Sequence, residues 1–480
     1  MDSYKVYIGL EVHVELSTQS KFFCGCKTKF GATPNTQVCP VCLGFPGVLP
    51  VINKKALEYT IACALALNSK INENSRFARK NYYYPDLPKN FQISQYEEPI
   101  ATGGWIDIEI NGQTKKIGIE RVHLEEDAGK LIHGEGEDAE WSFVDCNRAG
   151  IPLMEIVSCP EINSPDEAYE YLTILRRILR YLGVSDCNME EGSLRCDANI
   201  SLGKAEMGTK TEIKNMNSFK ELREGLKVEI QRQANLLKKG EKIIQETRFW
   251  DAKKKKTFSM RGKEEAHDYR YFPEPDLLPL YIDDNWTERI KANLPELPQH
   301  RFDRFIHEYK LPSYDAGVLT ESREIADYFE RCVRLFPKPK MVSNWIMGDF
   351  MRLIKQEGEV KIKIHPAEVA DLLKEVEKGT LSTTLAKEVM EIMFKSGKGV
   401  TQIMEEKQLQ QITDKKSLEK AAKQVIEENQ KAVGDWQKGK SQAIKFLVGQ
   451  LMKKTKGRAN PQLANELIEK KLKELFGASS

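Results

Sequence analysis

The segment Ile8-Gly9-Leu10-Glu11-Val12-His13-Val14-Glu15 has the clearest β-strand pattern in the first part of this chain. Hydrophobic residues occupy every second position, and side chains two residues apart on a β-strand lie on the same face of the sheet. One face of the strand is therefore apolar, and the other carries Glu11, His13 and Glu15. The sequence predicts a strand over residues 4–16 with one buried face.

Ionisable residues recur on other predicted strands. Glu125 shares a face with His123 in RVHLEED (121–127), and Asp197 shares a face with Arg195 in LRCDANI (194–200). Carboxylates gathered at this density repel one another unless cations lie among them. Oxygen ligands around an open basin suit Mg²⁺ that carries a nucleotide's phosphates. An antiparallel sheet with one solvated face produces the same alternation, so the pattern alone leaves both interpretations open.

Glu155 favours the metal interpretation. It interrupts the apolar run PLMEIV (152–157), and a charge inside such a run needs a partner.

The predicted strands arrive in groups, with helices set between the groups. Asn53 is a candidate cap for a helix over 54–67, and Ser164, Pro165 and Glu167 form a capping-box pattern for a helix that Gly183 ends. From Gln299 onward the periodicity is helical. This order indicates an α+β fold with a mainly antiparallel sheet. For 480 residues we expect three domains: an α+β domain over 1–293, an all-helical domain over 294–400 and a small helical tail over 401–480.

Composition excludes several classes of protein. With 40% hydrophobic and 30% charged residues the chain is typical of globular proteins, and it contains no run of about 18 apolar residues. We see no secretory or transit segment at the start, and therefore expect a cytoplasmic protein without a membrane partner. Residues 401–480 carry a net charge of +6 against −4 for the remainder. This asymmetry indicates a polyanion contact or a lysine-rich solvated helix face.

Four of the ten cysteines, Cys24, Cys26, Cys39 and Cys42, fall within nineteen residues. Their C-x-C and C-x-x-C pairs are typical of two turns that present four thiolates to one tetrahedral zinc ion. Because four protein ligands leave no open position, we expect this zinc to be structural. The other six cysteines are scattered singly and are expected to be small buried hydrophobes.

Two further stretches draw attention. In RKNYYYPDLPK (79–89), tyrosines beside basic residues could bind phosphate and stack on a base, or could form a rigid rim.

The segment GDWQKGKS (434–441) matches the P-loop consensus sequence, but an amphipathic helix pattern precedes it where a buried strand is required. We therefore reject a P-loop. The sequence also lacks a serine–glycine-rich amidase signature, so glutamine hydrolysis by this chain alone is not expected.

Taken together, several passages resemble one family, the B subunit (GatB) of the tRNA-dependent aspartyl/glutamyl amidotransferase. They occur in the family's order from the first strand to the last helix: IGLEVHVEL, CPVCLGFPGVLPVINKKA, FARKNYYYPDLPKNFQISQYEEPI, HLEEDAGK, NRAGIPLMEIVS, GSLRCDANIS, EIKNMNSF, KEEAHDYRYFPEPDL and VGQLMKKTKGRANPQL.

The resemblance implies an α+β domain called the cradle, a helical domain and a tRNA-linked helical tail. It implies that ATP and Mg²⁺ are used to phosphorylate the side-chain carboxylate of Glu-tRNA(Gln) or Asp-tRNA(Asn), and that ammonia then displaces the phosphate. The ammonia would come from glutamine hydrolysed in an amidase-type A subunit, and a small C subunit would complete a heterotrimer.

The resemblance also assigns roles to residues. The positions that match the family's magnesium basin and catalytic site are Glu11, His13, Glu125, Glu155 and, less securely, Asp197. His13 is a metal ligand or a base that deprotonates ammonium. The candidate phosphate-binding residues are Lys80, Lys89, Arg261 and Arg270. The cysteine quartet matches the zinc-bearing branch of the family, and the tRNA-binding candidates are Lys453, Lys454, Lys456 and Arg458. A non-catalytic zinc-containing RNA-binding scaffold is the alternative, but it leaves the carboxylates without a purpose.

Overall fold

The structure, a computed structural model, describes residues 4–134, 136–138, 140–204, 206–262, 269–356, 362–407, 415–438, 440, 442–455, 459 and 461–477. For residues 261–262, 355–356, 415–417 and 461–462 it describes the backbone alone. The chain divides into two compact units, Met1–Pro298 and Gln299–Ser480. The three-domain division remains a prediction.

The first unit is built around β-strands. In chain order they are β1 (Lys5–Glu15), β2 (Lys70–Ile71), β3 (Asn74–Ser75), β4 (Ala78–Asn81), β5 (Phe91–Ser94), β6 (Ala101–Thr102), β7 (Trp105–Ile110), β8 (Gln113–Glu126), β9 (Lys130–His133), β10 (Ser142–Asp145), β11 (Pro152–Ser158), β12 (Leu194–Gly203), β13 (Thr211–Lys214), β14 (Glu246–Asp251), β15 (Lys256–Gly262), β16 (Phe272–Pro273) and β17 (Leu280–Tyr281).

One large sheet organises the unit, in the order β15-β14-β13-β12-β1-β11-β8-β6-β2, with β7 paired to β8. Its described ladders are antiparallel apart from β13–β14, which is parallel. A smaller sheet has the order β16-β4-β5. The predicted α+β class with a mainly antiparallel sheet is confirmed.

The apolar face of β1 forms the centre of the core. Ile8, Leu10, Val12 and Val14 are fully buried, as the alternation predicts. The helices of the first unit are α1 (Lys54–Ala66), α2 (Pro165–Leu182), α3 (Phe219–Lys238) and α4 (Asp284–Ala292). Apolar side chains of α1, α2 and α3 belong to the same hydrophobic cluster as β1. Helices therefore cover the apolar face of the sheet and leave its polar face to other segments.

The predicted helix caps are present, with one correction. Asn53 accepts a hydrogen bond from the Lys55 amide at 2.9 Å, and Ser164 accepts one from the Glu167 amide at 3.1 Å. A capping box predicts a reciprocal bond between the Glu167 carboxylate and the Ser164 amide. The carboxylate instead accepts from the Asn163 amide at 2.8 Å, one residue before the cap.

The described residues of the second unit form helices and no strand. They are α5 (Pro298–His307), α6 (Ser313–Leu319), α7 (Arg323–Leu335), α8 (Pro339–Trp345), α9 (Met351–Gln356), α10 (Pro366–Glu377), α11 (Thr383–Ser396), α12 (Val400–Lys407), α13 (Lys415–Glu428), α14 (Gln430–Gln437), α15 (Gln442–Lys454) and α16 (Pro461–Phe476), with a π-helical turn at Ile346–Phe350 between α8 and α9. Two hydrophobic clusters lie in this unit, one between Phe305 and Met404 and one between Leu418 and Leu472.

Two negative expectations can be compared with these helices. Gly434, the first residue of the P-loop-like segment, lies inside α14, so the rejection of a phosphate loop is supported there. Within the described residues, the helices are all too short or too polar to cross a membrane.

Candidate active site and metal centres

The polar face of the large sheet brings together residues from four adjacent strands. His13 on β1 lies opposite Glu155 on β11 and Arg195 on β12, and Glu155 lies opposite His123 on β8. Because directly opposed residues on one face have Cβ atoms about 5 Å apart, the ladder registers alone make these side chains neighbours. The convergence predicted from strand alternation is therefore built by the pairing of β12, β1, β11 and β8.

His13, Glu125 and Glu155 form a compact trio. The His13 Nε2 atom lies 3.7 Å from Glu125 Oε1 and 3.5 Å from Glu155 Oε2. One nitrogen or oxygen from each residue falls within 4.8 Å of the others, close enough to hold a single metal ion. His123 adds a second imidazole, with Nε2 3.1 Å from Glu155 Oε2.

Both carboxylates of the trio are buried and His13 is half-buried, which decides against a merely solvated sheet face at this position. Glu125 is 3% exposed and Glu155 is 8% exposed. Strand β5 lies over this end of β8, where the Ser94 hydroxyl donates to Glu125 Oε2 at 3.1 Å. Burying two carboxylates this closely requires compensating positive charge.

The pKa values of His13 and Glu155 reflect this need for positive charge. Burial lowers the pKa of His13, but the hydrogen bond and charge of Glu155, together with the charge of Glu125, outweigh it and raise the pKa to about 9. Burial raises the pKa of Glu155, whereas His123 and His13 hold it well below its usual value. The two carboxylates therefore attract a cation, and their oxygens with the imidazole nitrogen form a donor set that fits a divalent metal ion.

Lys80 on β4 also reaches this site. Burial lowers its pKa, but the Glu125 carboxylate contributes to a net rise. The Lys80 Nζ atom lies 4.9 Å from the ring centre of Tyr269 and 5.7 Å from that of Tyr82. Of the basic residues predicted to bind phosphate, Lys80 is the one whose pKa the charge of Glu125 raises.

Glu11 and Asp197 lie next to the trio, but other partners engage them. The Asn199 amide donates to Glu11 Oε1 at 2.7 Å, and burial together with Glu155 raises the pKa of Glu11. Asp197, directly opposite Glu11, is paired with Lys214. Within the described residues the metal-capable group contains neither of them. An open cleft of about 450 Å³ borders Glu11 and Asn199.

A second polar cluster, which sequence reasoning did not assign, lies on the same face. Arg195 Nη2 is 2.6 Å from Asp127 Oδ2, and Arg148 Nε is 3.6 Å from the same oxygen. Burial raises the pKa of Asp127, but the two arginines outweigh it and keep the pKa below its usual value. Burial and Asp127 raise the pKa of Glu15 to about 9. The sequence did contain a signal for this cluster, because strand alternation places Arg195 and Asp127 on the polar faces of their strands.

The remaining phosphate candidates lie in different surroundings. Lys89 forms an ion pair with Glu126. Glu126 follows Glu125 on β8, so its side chain points to the opposite side of the strand from that of Glu125. Arg261 lies on β15 opposite Thr247. Arg270 is exposed, and its carbonyl oxygen accepts from Asn81 at 2.9 Å. Their phosphate-binding role remains a prediction.

The four clustered cysteines meet in space. One sulfur from each of Cys24, Cys26, Cys39 and Cys42 lies within 4.8 Å of the others, so the group could hold a metal ion. All four thiols are free of disulfide bonds. Hydrogen bonding from Cys24, the Cys39 amide at 3.2 Å and the charge of Lys21 lower the pKa of Cys42 to about 4. A set of four converging sulfur donors fits a tetrahedral zinc site.

The buried Lys21 ammonium lies next to this cysteine centre. It is 1% exposed, and its Nζ atom lies 3.5 Å from Cys42 Sγ and donates to the Cys146 carbonyl at 3.1 Å. A buried ammonium beside a tetrathiolate offsets part of its negative charge. Sequence reasoning missed Lys21 because a single lysine before FFCGC carries no spacing signal.

Part of the predicted tRNA-binding patch can be located. Lys453 is exposed in the last turn of α15. Lys454 forms an ion pair with Glu428. Lys456 and Arg458 lie outside the described residues.

Comparison with known protein families finds matches in both units of the chain. Residues 6–288 match the family model described as the GatB/GatE catalytic domain, and residues 327–472 match the model described as the GatB domain. The trio lies within the first match, and the first match alone covers more than half of the chain. The protein is therefore of the amidotransferase subunit class.

Named relatives extend over the full length. The chain is 55% identical over 481 residues to the B subunit of the aspartyl/glutamyl-tRNA(Asn/Gln) amidotransferase of Carboxydothermus hydrogenoformans, covering 99% of this chain and 100% of that protein. It is 56% identical over 476 residues to the protein of the same name from Thermodesulfovibrio yellowstonii, covering 98% and 100%. The chain belongs to the family of aspartyl/glutamyl-tRNA(Asn/Gln) amidotransferase B subunits.

Proposed function

We propose that this chain phosphorylates the side-chain carboxylate of Glu-tRNA(Gln), Asp-tRNA(Asn) or both with ATP, and then amidates it with ammonia. A carboxylate oxygen of the aminoacyl group attacks the γ-phosphorus, and ADP leaves. Ammonia then attacks the acyl phosphate carbon, phosphate leaves with the C–O electron pair, and the nitrogen loses a proton. The products are Gln-tRNA(Gln) and Asn-tRNA(Asn).

The observation that carries this proposal is the trio of half-buried His13 with the buried carboxylates of Glu125 and Glu155. Its three donor atoms would hold Mg²⁺, which when bound neutralises charge on a nucleotide's phosphates during phosphoryl transfer. Lys80 beside Glu125 would orient a phosphate oxygen or the incoming carboxylate. The cleft beside Glu11 offers room for the nucleotide. In this scheme a bound metal ion displaces the proton that His13 otherwise holds, and His13 becomes a metal ligand. Alternatively, His13 acts as a base, and it must then lose that proton before it can take one from ammonium.

In this proposal the cysteine site is structural, and the partner subunits and the helical tail supply ammonia and tRNA binding. The cysteine quartet would hold structural Zn²⁺, which folds the loop over 24–42 and leaves no position for substrate. Ammonia would reach the trio from an amidase-type A subunit, with a small C subunit completing a heterotrimer. The exposed Lys453 and its neighbours in the tail would contact tRNA phosphates, which gives salt-sensitive and sequence-tolerant binding.

The test is reconstitution of the chain with A and C subunits and each misacylated tRNA in turn. Glu125→Gln removes one charge from the trio while preserving shape, and should abolish ATP cleavage that depends on misacylated tRNA. Glutamine hydrolysis in the partner should persist. Glu109→Gln, at an exposed position on β7, is the matched control and should behave as the wild type.

Two results would count against the proposed reaction. ATP cleavage independent of misacylated tRNA would indicate a different kinase substrate, and no ATP cleavage by the wild-type complex would favour the non-catalytic RNA-binding scaffold.

The tail has its own test, since a chain ending at Lys407 should bind tRNA more weakly while the first unit remains folded. Equal tRNA affinity of the shortened and full chains would remove the tail from the binding site.

A further inference from the structure

A buried lysine connects the cysteine centre to the chain between β10 and β11. Lys21 is 1% exposed, and its Nζ atom lies 3.5 Å from Cys42 Sγ while it donates to the Cys146 carbonyl at 3.1 Å. Within the described residues its ammonium makes these two contacts and no ion pair with a carboxylate. Because a buried charge needs a compensating charge, the cysteine sulfurs are the groups that balance Lys21.

The loop between the two cysteine pairs also holds this part of the chain. We refer to residues 144–150 as the linking segment. Asn35 Oδ1 accepts from the Cys146 amide at 2.8 Å, and Asn147 Oδ1 accepts from the Gln37 amide at 2.8 Å. Asn35 and Gln37 both lie between the cysteine pairs in sequence. A metal ion that fixes the cysteines therefore also fixes the loop that holds the linking segment.

The end of the linking segment packs directly against Lys21. The Gly150 carbonyl accepts from the Phe22 amide at 2.8 Å. Gly150 has a φ of +83°, and a Cβ atom at this position would lie 3.6 Å from Cys42 Cβ and 3.7 Å from Lys21 Cδ. Contacts this close transmit a displacement of either side chain to the backbone of the segment.

The linking segment carries Arg148 to the polar face of the large sheet. The Arg148 Nε atom donates to the Ala128 carbonyl at 3.0 Å and lies 3.6 Å from Asp127 Oδ2. Asp127 is 4% exposed and pairs with Arg195, which lies opposite His13 of the trio. The contacts therefore run without interruption from the cysteine centre to the side chains next to the trio.

We propose that Lys21 is a positioning residue that ties metal binding at the cysteine quartet to the placement of Arg148 on the polar face. Four thiolates around a divalent ion carry a net charge of about −2, and the adjacent ammonium reduces it to about −1. The same ammonium holds the Cys146 carbonyl, so it stabilises the metal-bound centre and the linking segment together. The inference rests on the zinc ion of the proposed function and gives it a task beyond folding residues 24–42.

The first experiment measures the zinc affinity of the full chain by competition with a chromophoric chelator at constant pH. Lys21→Met keeps the length of the side chain and removes its charge. We expect roughly 10- to 100-fold weaker zinc binding, the usual effect of removing a group that supports a metal ligand. Lys29→Met is the matched control, because Lys29 is exposed between the two cysteine pairs, and should bind zinc as the wild type does.

Cobalt(II) in place of zinc separates the loss of charge from the loss of a ligand. Lys21→Met retains all four cysteines, so its cobalt complex should keep the tetrahedral thiolate spectrum of the wild type. Weaker binding with an unchanged spectrum supports the charge of Lys21 as the cause. A changed spectrum would show that the variant has lost a thiolate ligand and would overturn that role.

The second experiment follows amide hydrogen exchange by mass spectrometry. Removing zinc from the wild-type chain should speed exchange in the linking segment, where the Cys146 amide is bonded to Asn35. Exchange in α2, which packs in the main core, should stay constant. With zinc in excess, Lys21→Met should still exchange faster than the wild type in the linking segment. The wild-type half of the experiment needs no variant, so it tests the coupling even if Lys21→Met does not fold.

Several outcomes overturn the proposal. Equal zinc affinities of the wild type and Lys21→Met would remove Lys21 from the metal centre. Exchange in the linking segment that ignores zinc removal, or that rises equally in α2, would show that the metal does not fix this segment in particular. A wild-type chain that binds no zinc would remove the metal centre of the proposed function itself. That failure is distinct from a zinc-binding wild type with an unaffected Lys21→Met variant.

Discussion

Replacing Arg79 with methionine should destabilise the first unit strongly, because it leaves a buried carboxylate without its cation. Arg79 forms a two-point ion pair with Glu274, whose side chain is 1% exposed, and also lies 3.1 Å from Asp276. Removing one partner of a buried, hydrogen-bonded pair typically costs about 3–5 kcal/mol. We expect Arg79→Met to fall in this range.

The chain offers a matched control a few residues away. Arg76 and Glu98 form an ion pair at 3.4 Å, with side chains 44% and 43% exposed. Exposed pairs contribute about 0–1 kcal/mol. Arg76→Met should therefore lower the free energy of unfolding only slightly. Both variants are compared by urea unfolding of the full chain, followed by tryptophan fluorescence, since Trp250 is buried in the core of this unit.

The double variant Arg79→Met/Glu274→Met tests the cause of the loss. If the cost arises from an unpaired buried charge, replacing both residues with apolar side chains should restore most of the stability. If the double variant is as unstable as Arg79→Met, or if Arg79→Met costs no more than Arg76→Met, the reasoning is refuted.

The remaining predictions are direct. Metal analysis should find about one zinc per wild-type chain and little in Cys26→Ser, because three thiolates hold zinc less tightly than four; equal zinc content would contradict the centre. Ser164→Ala should lower stability by about 1 kcal/mol through loss of the α2 cap, with Thr in place of Ala as the conservative control. Burial raises the pKa of Glu330, but Arg304 and Arg301 outweigh it and lower the pKa below 4.5. Its ionised form therefore stabilises the second unit at neutral pH, and thermal scans should show wild type losing its advantage over Glu330→Gln as the pH falls below about 4.5; a constant difference down to pH 3 would contradict this.

Much of the first unit could be predicted from local sequence. A strand period of two placed Glu11, His13 and Glu15 on the polar face of β1, and the caps at Asn53 and Ser164 marked helix starts within a residue. Such signals are local because side-chain direction and capping depend on neighbouring residues alone. Placing Glu155 next to His13 needed the strand order, which local pattern does not contain.

The limits of sequence reasoning are clearest at Asp197 and His123. Both lie on predicted polar faces, yet the sequence-based site includes Asp197 and omits His123. In the structure Lys214 on β13 pairs with Asp197, while His123 contacts Glu155. The difference depends on which strand lies beside β12 and which beside β11, since cross-strand neighbours decide which charge meets which.

The distribution of charge over this sheet face identifies where a bound cation belongs. Asp127 is paired with an arginine and Asp197 with a lysine, and both side chains keep a positive charge throughout the physiological pH range. The neighbours of Glu155 are the imidazoles of His13 and His123, which are positive only when protonated. Among the described carboxylates of the face, Glu155 is thus compensated by groups that can also act as neutral metal ligands. Glu125 lies within reach of the same imidazole, so a divalent ion placed at this point would satisfy both acids without displacing a permanent ion pair.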